Sequence, residues 1–196
     1  ENVKGYEIGQ IDSIAICQIE EDYRFQFFMK DTTLVPIPID SMTFAQQSDT
    51  VYISYTDERV TYNNPRARLT HIDIDHCNVR VSHSDSLSSL ILSVSGYCEE
   101  GSLSIQSESD CHIVLQELYL QSSMCPAVEV QSNVSTTIEL AEYTCNRLSD
   151  TIAAGYDVKY DGCIQTKGNL YLEGEGSLNL RGGLKHAIYS KQGITF

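Results

Sequence analysis

The sequence predicts an all-β protein, a right-handed parallel β-helix preceded by a small N-terminal β unit. Three observations point there. Apolar and polar residues alternate with a period of two in most segments, helical spacing of apolar residues rarely persists for three turns, and one phrase restarts at a fixed interval near the end. In "GCIQTKGNLYL" (162–172) and "HAIYSKQGITF" (186–196), Ile164 aligns with Ile188, Thr166 with Ser190, Lys167 with Lys191, Leu170 with Ile194 and Leu172 with Phe196, an offset of 24 residues.

The first fifty residues carry two versions of another phrase, "GQIDSIAI" (9–16) and "IPIDSMTF" (37–44), on either side of the aromatic "YRFQFFMKD". Each reads as an apolar strand with an Asp-Ser turn, so residues 1–48 are expected to form a β-hairpin unit that caps the coils. From residue 49 onward, alternating runs at Val51 to Tyr55, His71 to Asp75, Ser102 to Gln106, His112 to Leu120, Val128 to Val130, Thr137 to Leu140 and Asn169 to Leu172 read as strands. Gly, Asn, Ser and Asp punctuate them.

One turn before the 24-residue repeat, "PAVEVQSNVSTTIEL" (126–140) starts alike, with Ala127 and Val128 in the places of Cys163 and Ile164. A four-residue insertion then aligns Ile138 and Leu140 with Leu170 and Leu172. A single coil cannot cover its own apolar side, whereas stacked coils bury a continuous column of Ile, Leu and Val. Crossovers between parallel strands are almost always right-handed. A β-sandwich is the rival, but Asp161-Gly162 is the only two-residue hairpin dipeptide of the Asn-Gly or Asp-Gly kind.

Composition narrows the function classes. A formal charge of -14 opposes nucleic-acid binding, which needs an excess of Lys and Arg, and disfavours anionic lipid surfaces. No apolar run is long enough to span a membrane. The N-terminal "ENVKG" lacks the basic-then-apolar pattern of a signal peptide, which fits a protein that stays inside or a processed form. The seven cysteines are odd in number and no two are separated by just two residues, so a zinc knuckle is not expected; mostly free, buried thiols are, with a structural disulfide as the alternative.

Several motifs are similar to those of a known family. The stretches "DTVYISYTDERVTY" (49–62), "LILSVSGYCEEGSLSIQSESDCHIVLQELYLQSSMCPAVEVQS" (90–132) and "GNLYLEGEGSLNLRGGLKHAIYS" (168–190) resemble, in that order, motifs of secreted carbohydrate-binding β-helix proteins of polysaccharide-degrading bacteria. The resemblance runs from Asp49 to Phe196. It implies non-catalytic binding of plant-type polysaccharides, acidic pectic ones included, with calcium as a possible cofactor. It also implies export to the cell surface or periplasm of a Gram-negative bacterium, with a possible lipid anchor upstream. The family pattern continues with more coils, so the domain over residues 49–196 is expected to be cut short at Phe196, and an open coil end would invite homo-oligomers.

The candidate binding residues follow. Sugars are held by flat aromatic faces with polar hydrogen-bonding groups, and with no Trp the tyrosines must serve. Tyr119, Tyr171 and Tyr189 alternate with inward apolar positions, and Tyr171 and Tyr189, in adjacent coils, would form a row; alternatively they merely cover the surface. Lys185 could engage a uronate and His186 a hydroxyl, or the histidine is only a turn residue. Asp157 and Asp161 could join Glu173 or Glu175 around calcium, or form a solvated acidic loop.

Two further readings stay open. A pectate-lyase-like enzyme would need a base beside calcium-holding carboxylates, and Asp110 with His112 lacks an obvious partner. A surface adhesin or scaffold would merely present loops, and the Asp-Ser/Thr-aliphatic triplets at Asp12, Asp40, Asp49, Asp85 and Asp150 resemble bacterial O-glycosylation acceptors.

Overall fold

The computed structural model describes residues 49–151, 159–183 and 185–196 in full, and the backbone of three strands among the first 48. The chain divides into two compact units, Glu1–Gln47 and Ser48–Phe196. In the first unit β1 (Ile11–Ile19), β2 (Asp22–Met29) and β3 (Val35–Pro38) form an antiparallel sheet in the order β1-β2-β3. The expected Asp-Ser turn at Asp12 and Ser13 is not there, because both residues lie within β1, where the pairing with β2 shifts register between Ile11 and Ser13. A short polar pair beside a bulge stays extended.

The second unit begins with β4 (Val51–Tyr55), β5 (Val60–Asn63), β6 (Thr70–Asp75), β7 (Asn78–His83), β8 (Leu90–Cys98) and β9 (Ser102–Ser107). It continues with β10 (Cys111–Ser122), β11 (Val128–Val130), β12 (Thr136–Leu140), β13 (Cys145–Asp150), β14 (Gly162–Thr166), β15 (Leu170–Gly174), β16 (Ser177–Arg181), β17 (His186–Ser190) and β18 (Ile194–Thr195). Among the described residues there is no helix.

The strands alternate between a nine-stranded sheet, with the path β18-β15-β12-β10-β8-β4-β5 and with β13 and β16 beside it, and a six-stranded sheet in the order β17-β14-β11-β9-β7-β6. From β8 onward every pairing is parallel, so each pass of the chain lies on the one before it. Both sheets are therefore mixed. Each has one antiparallel pair, β4 with β5 and β6 with β7. The β6–β7 turn is made by His76 with φ 55°, a left-handed residue without the Asn-Gly or Asp-Gly signature of such turns.

Register explains the core. Val51, Leu92, Ile113, Ile138 and Leu172 are successive partners across the nine-stranded sheet. Val79, Leu103, Val128, Ile164 and Ile188 do the same across the six-stranded one. These two aliphatic ladders belong to one buried core. The 24-residue offset is seen directly, since Ile164 pairs with Ile188 and Leu170 with Ile194.

The earlier repeat needs a correction. Thr136, not Ile138, pairs with Leu170, and Ile138 pairs with Leu172, so the insertion is two residues rather than four. An apolar match is the natural choice from sequence, but Thr136 takes the inward slot and is fully buried, with its hydroxyl lacking any hydrogen-bond partner. A two-residue slip preserves the face of every side chain, so alternation alone could not detect it.

Left-handed residues bend the nine-stranded sheet along its middle. Gly96 has φ 101° and Gly174 φ 102°, while Glu117, at the register shift between Gln116 and Leu118, has φ 54°. A Cβ on Gly96 would lie 2.1 Å from the Tyr55 carbonyl oxygen, and one on Gly174 2.2 Å from that of Leu140. Only glycine fits such an approach. Beside the bend the Leu118 amide donates to the buried Asn146 Oδ1 at 2.9 Å, and Asn146 Nδ2 donates to Thr144 Oγ1 at 3.1 Å and to the Ser177 carbonyl at 3.3 Å. The amide side chain thus satisfies backbone groups where the ladder breaks.

Candidate functional site

Core residues point inward from each strand, so alternate residues form the outer faces, and these hold the chemistry. Before the bend, the outer column runs through Tyr52, Ser93, Val114, Glu139 and Glu173. Beside it runs a second column of Ile91, His112, Thr137, Tyr171 and Thr195. At the β4–β5 end this face opens into a groove of about 300 Å³ lined by Tyr52, Tyr62, Asn63, Ser93, Ser95 and Gln116, among others. Tyr52 and Tyr62 are 44% and 52% exposed, so the groove combines accessible aromatic surface with amide and hydroxyl groups. No lining residue carries a formal charge at neutral pH.

The five residues expected to bind carbohydrate lie on different parts of the surface. Tyr171 is on β15 in the nine-stranded sheet and Tyr189 on β17 in the six-stranded one, so they do not form a row. The repeat was read correctly, but each pass contributes strands to both sheets, and neighbouring tyrosines in sequence fall on different walls. Tyr189 lies in the outer column after Gln165, with its ring 6.3 Å from that of His186 at an interplanar angle of 13°. Lys185 Nζ is 2.5 Å from Asp161 Oδ1, so its ammonium already has a carboxylate partner.

Tyr119 is not an open stacking platform. Its ring stacks on Tyr97 with centroids 4.5 Å apart, and the Arg147 guanidinium carbon lies 5.9 Å from its centroid. Tyr97 and Arg147 are its register partners on the two flanking strands, so one neighbour covers each side of the ring. The Tyr97 hydroxyl donates to Glu99 Oε1 at 2.5 Å. That bond to a carboxylate, with some desolvation, pushes the Tyr97 phenol up to about 12. Sequence alternation placed Tyr119 outward but could not show that its faces are occupied.

The expected calcium residues are only partly among the described ones. Asp157 lies outside the described residues, and Asp161 is held by Lys185. Glu173 instead converges with His112 and Glu139, and one donor atom of each lies within 4.8 Å of the others. His112 Nε2 sits 2.7 Å from Glu139 Oε2. The partner of His112 therefore lies one pass later rather than at Asp110, whose Oδ1 accepts the Ser135 amide at 3.0 Å. The signal for Tyr52 and Glu139 was their outward parity, whereas Tyr62 pairs with the buried Ile53 and is exposed because β5 is the last strand of the sheet, and which strands adjoin was not visible.

The described cysteines are free thiols: Cys77, Cys98, Cys111 and Cys163 are buried, Cys125 is half-buried and Cys145 is exposed. Burial pushes the Cys163 thiol up to about 12, with Asp150 adding to it, and burial likewise pushes Cys111 up to about 11. These thiols belong to the core rather than to a reactive site.

A family model described as carbohydrate-binding domain-containing protein matches residues 78–196. The chain belongs to that family. No curated protein matches its sequence. Among solved structures, the polysaccharide lyase-like protein from C. thermocellum, a gadolinium derivative, is similar at a TM-score of 0.56 and 17% identity over 68% of this chain. The match spans 53% of that protein's chain, and the likeness is one of fold. The family's description names carbohydrate binding, and the outer faces are judged against that. No helix among the described residues is long and apolar enough to cross a membrane.

Proposed function

We propose that this family member is a right-handed parallel β-helix that binds plant-type polysaccharide without catalysis, at the cell surface or in the periplasm of a Gram-negative bacterium. The observation that carries the binding reading is the groove beside β4 and β5, where exposed Tyr52 and Tyr62 stand among Asn63, Ser93, Ser95 and Gln116. Aromatic surface covers the apolar side of a sugar ring, and amides and hydroxyls bond its hydroxyl groups. The parallel passes from β8 onward support the β-helix, and the general handedness of crossovers supports its right hand.

The non-catalytic reading rests on the same lining. A pectate-lyase-like reaction calls for a cationic base beside calcium-holding carboxylates and glycoside hydrolysis for a pair of carboxylates, whereas the groove lining holds no Asp, Glu, Lys, Arg or His. A neutral stretch of glycan suits this uncharged groove. Arg147 and Arg181, exposed on β13 and β16, supply cationic groups for an acidic polymer elsewhere on the surface.

Affinity electrophoresis through neutral and pectic polysaccharides, with calcium and with chelator, tests this function. Retardation that Tyr52→Ala and Tyr62→Ala together abolish is the expected result. Undiminished retardation of that double variant would move the site elsewhere, and release of new chain ends from any polymer would overturn the non-catalytic reading. Absence of retardation in every gel would leave a scaffold or adhesin as the better description.

A further inference from the structure

His112 on β10, Glu139 on β12 and Glu173 on β15 come from three successive passes and meet on the outer face of the nine-stranded sheet. We propose that these three side chains bind a first-row divalent metal ion of the zinc class, with water completing the coordination shell. The site is separate from the groove, none of whose lining residues belongs to it.

Register is the first argument. Glu139 and Glu173 are direct partners in the parallel pairing of β12 with β15, which sets two carboxylates side by side. Like charges placed opposite one another destabilise a sheet, and a shared cation reverses the sign of that interaction. Neither carboxylate has an ion pair with Lys or Arg among the described residues, whose Lys and Arg ion pairs join Arg66 to Asp85 and Lys185 to Asp161. His112 pairs with Glu139, and among the described residues Glu173 has no ion pair.

Donor chemistry is the second argument. Calcium takes six to eight oxygens, whereas this cluster supplies an imidazole nitrogen and two carboxylates, a set suited to zinc and its neighbours. Three protein donors plus water is also the composition of an open zinc site. The three ligand atoms, all within 4.8 Å, must draw together to about 3.5 Å to share an ion at bond lengths of about 2.0–2.2 Å. The exposed Glu173 is free to rotate inward, while His112 and Glu139, each about one third exposed, are already positioned by their 2.7 Å contact. The bound ion would join three passes through bonds between side chains, in addition to the backbone ladders.

The test is calorimetric titration of the chelator-treated full chain with Zn²⁺, repeated with His112→Ala and Glu173→Gln. At least a tenfold loss of affinity in each variant is expected, with excess Ca²⁺ failing to compete. Because the chain also carries thiols, a second measurement locates the ion without mutation: Co²⁺ should broaden the His112 ring resonances first. Equal affinity in wild type and both variants, broadening of other residues at lower Co²⁺, or displacement of Zn²⁺ by equimolar Ca²⁺ would each overturn the proposal. Circular dichroism confirms that the variants retain their strands, and Glu173→Gln, at an exposed position, provides the arm least exposed to misfolding.

Discussion

The early and late passes of the second unit use the same kinds of side chain with different degrees of burial. In β4, Val51, Ile53 and Tyr55 are at most 2% exposed, because β8 lies on one side and the antiparallel β5 on the other. In the final passes, Ile188 is only partly buried, Ile194 is 40% exposed and Phe196 87% exposed. An inward-pointing aliphatic residue loses burial where no further strand stacks on it at the late end, whereas at the early edge Ile72 on β6 stays in the core with a strand on one side only. Burial in this architecture is thus a property of neighbours in the stack more than of the residue itself.

The largest effect should come from the middle of the ladder. Ile113→Ala, between Leu92 and Ile138, removes a fully buried side chain and should cost about 2–5 kcal/mol in urea unfolding. Ile194→Ala should cost less than about 1 kcal/mol, because much of that side chain is already in water. Equal losses would break the comparison.

The bend gives the next effect. Gly96→Ala would force a Cβ against the Tyr55 backbone in a left-handed conformation, at an expected cost of about 1–3 kcal/mol. Gly174→Ala meets the Leu140 carbonyl in the same way nearer the late end, where fewer strands stack beyond it, so a smaller loss is expected. Melting both variants side by side measures how far tolerance grows along the stack.

Alkaline titration probes the core through its thiols. Cys163 and Cys111 have folded values of about 12 and about 11 against an ordinary value of 9.0, so the folded state holds their protons more tightly than the unfolded state. Their contribution is complete below pH 9 and is lost as pH rises from there toward 11 and 12. Stability should fall over that range, and Cys163→Ala should flatten the slope in pH-dependent urea melts. An unchanged slope would mean the thiol is more hydrated than its burial indicates.

Smaller effects sharpen the picture at single positions. Thr136→Val replaces a buried hydroxyl that lacks a hydrogen-bond partner and should raise stability by up to about 1 kcal/mol, read as a higher unfolding midpoint. Lys185→Ala removes a partly exposed ion pair with Asp161 and should change stability by no more than about 1 kcal/mol. A larger loss there would show that Lys185 anchors the start of β17.

Thr136 also shows where reading residues in order falls short. The repeat from Ile164 to Ile188 was legible because both are branched and apolar, while the preceding pass was misaligned by two because its inward slot holds a threonine. The candidate site was less legible than the fold. Outward parity identified Tyr119, Tyr171 and Glu173 as surface residues, yet Tyr119 is sandwiched by Tyr97 and Arg147, and Glu173 has gained His112 and Glu139 as neighbours.

By itself the sequence determined which side chains face inward, that the chain is built of strands, and the spacing of its last repeat, since all three depend on local period and composition. Tertiary structure alone decided which strand lies beside which, and with it the groove of Tyr52 and Tyr62, the bend at Gly96 and Gly174, and the meeting of His112 with two glutamates. Those features join residues from different passes, brought together by backbone pairing whose register follows from packing the whole stack at once.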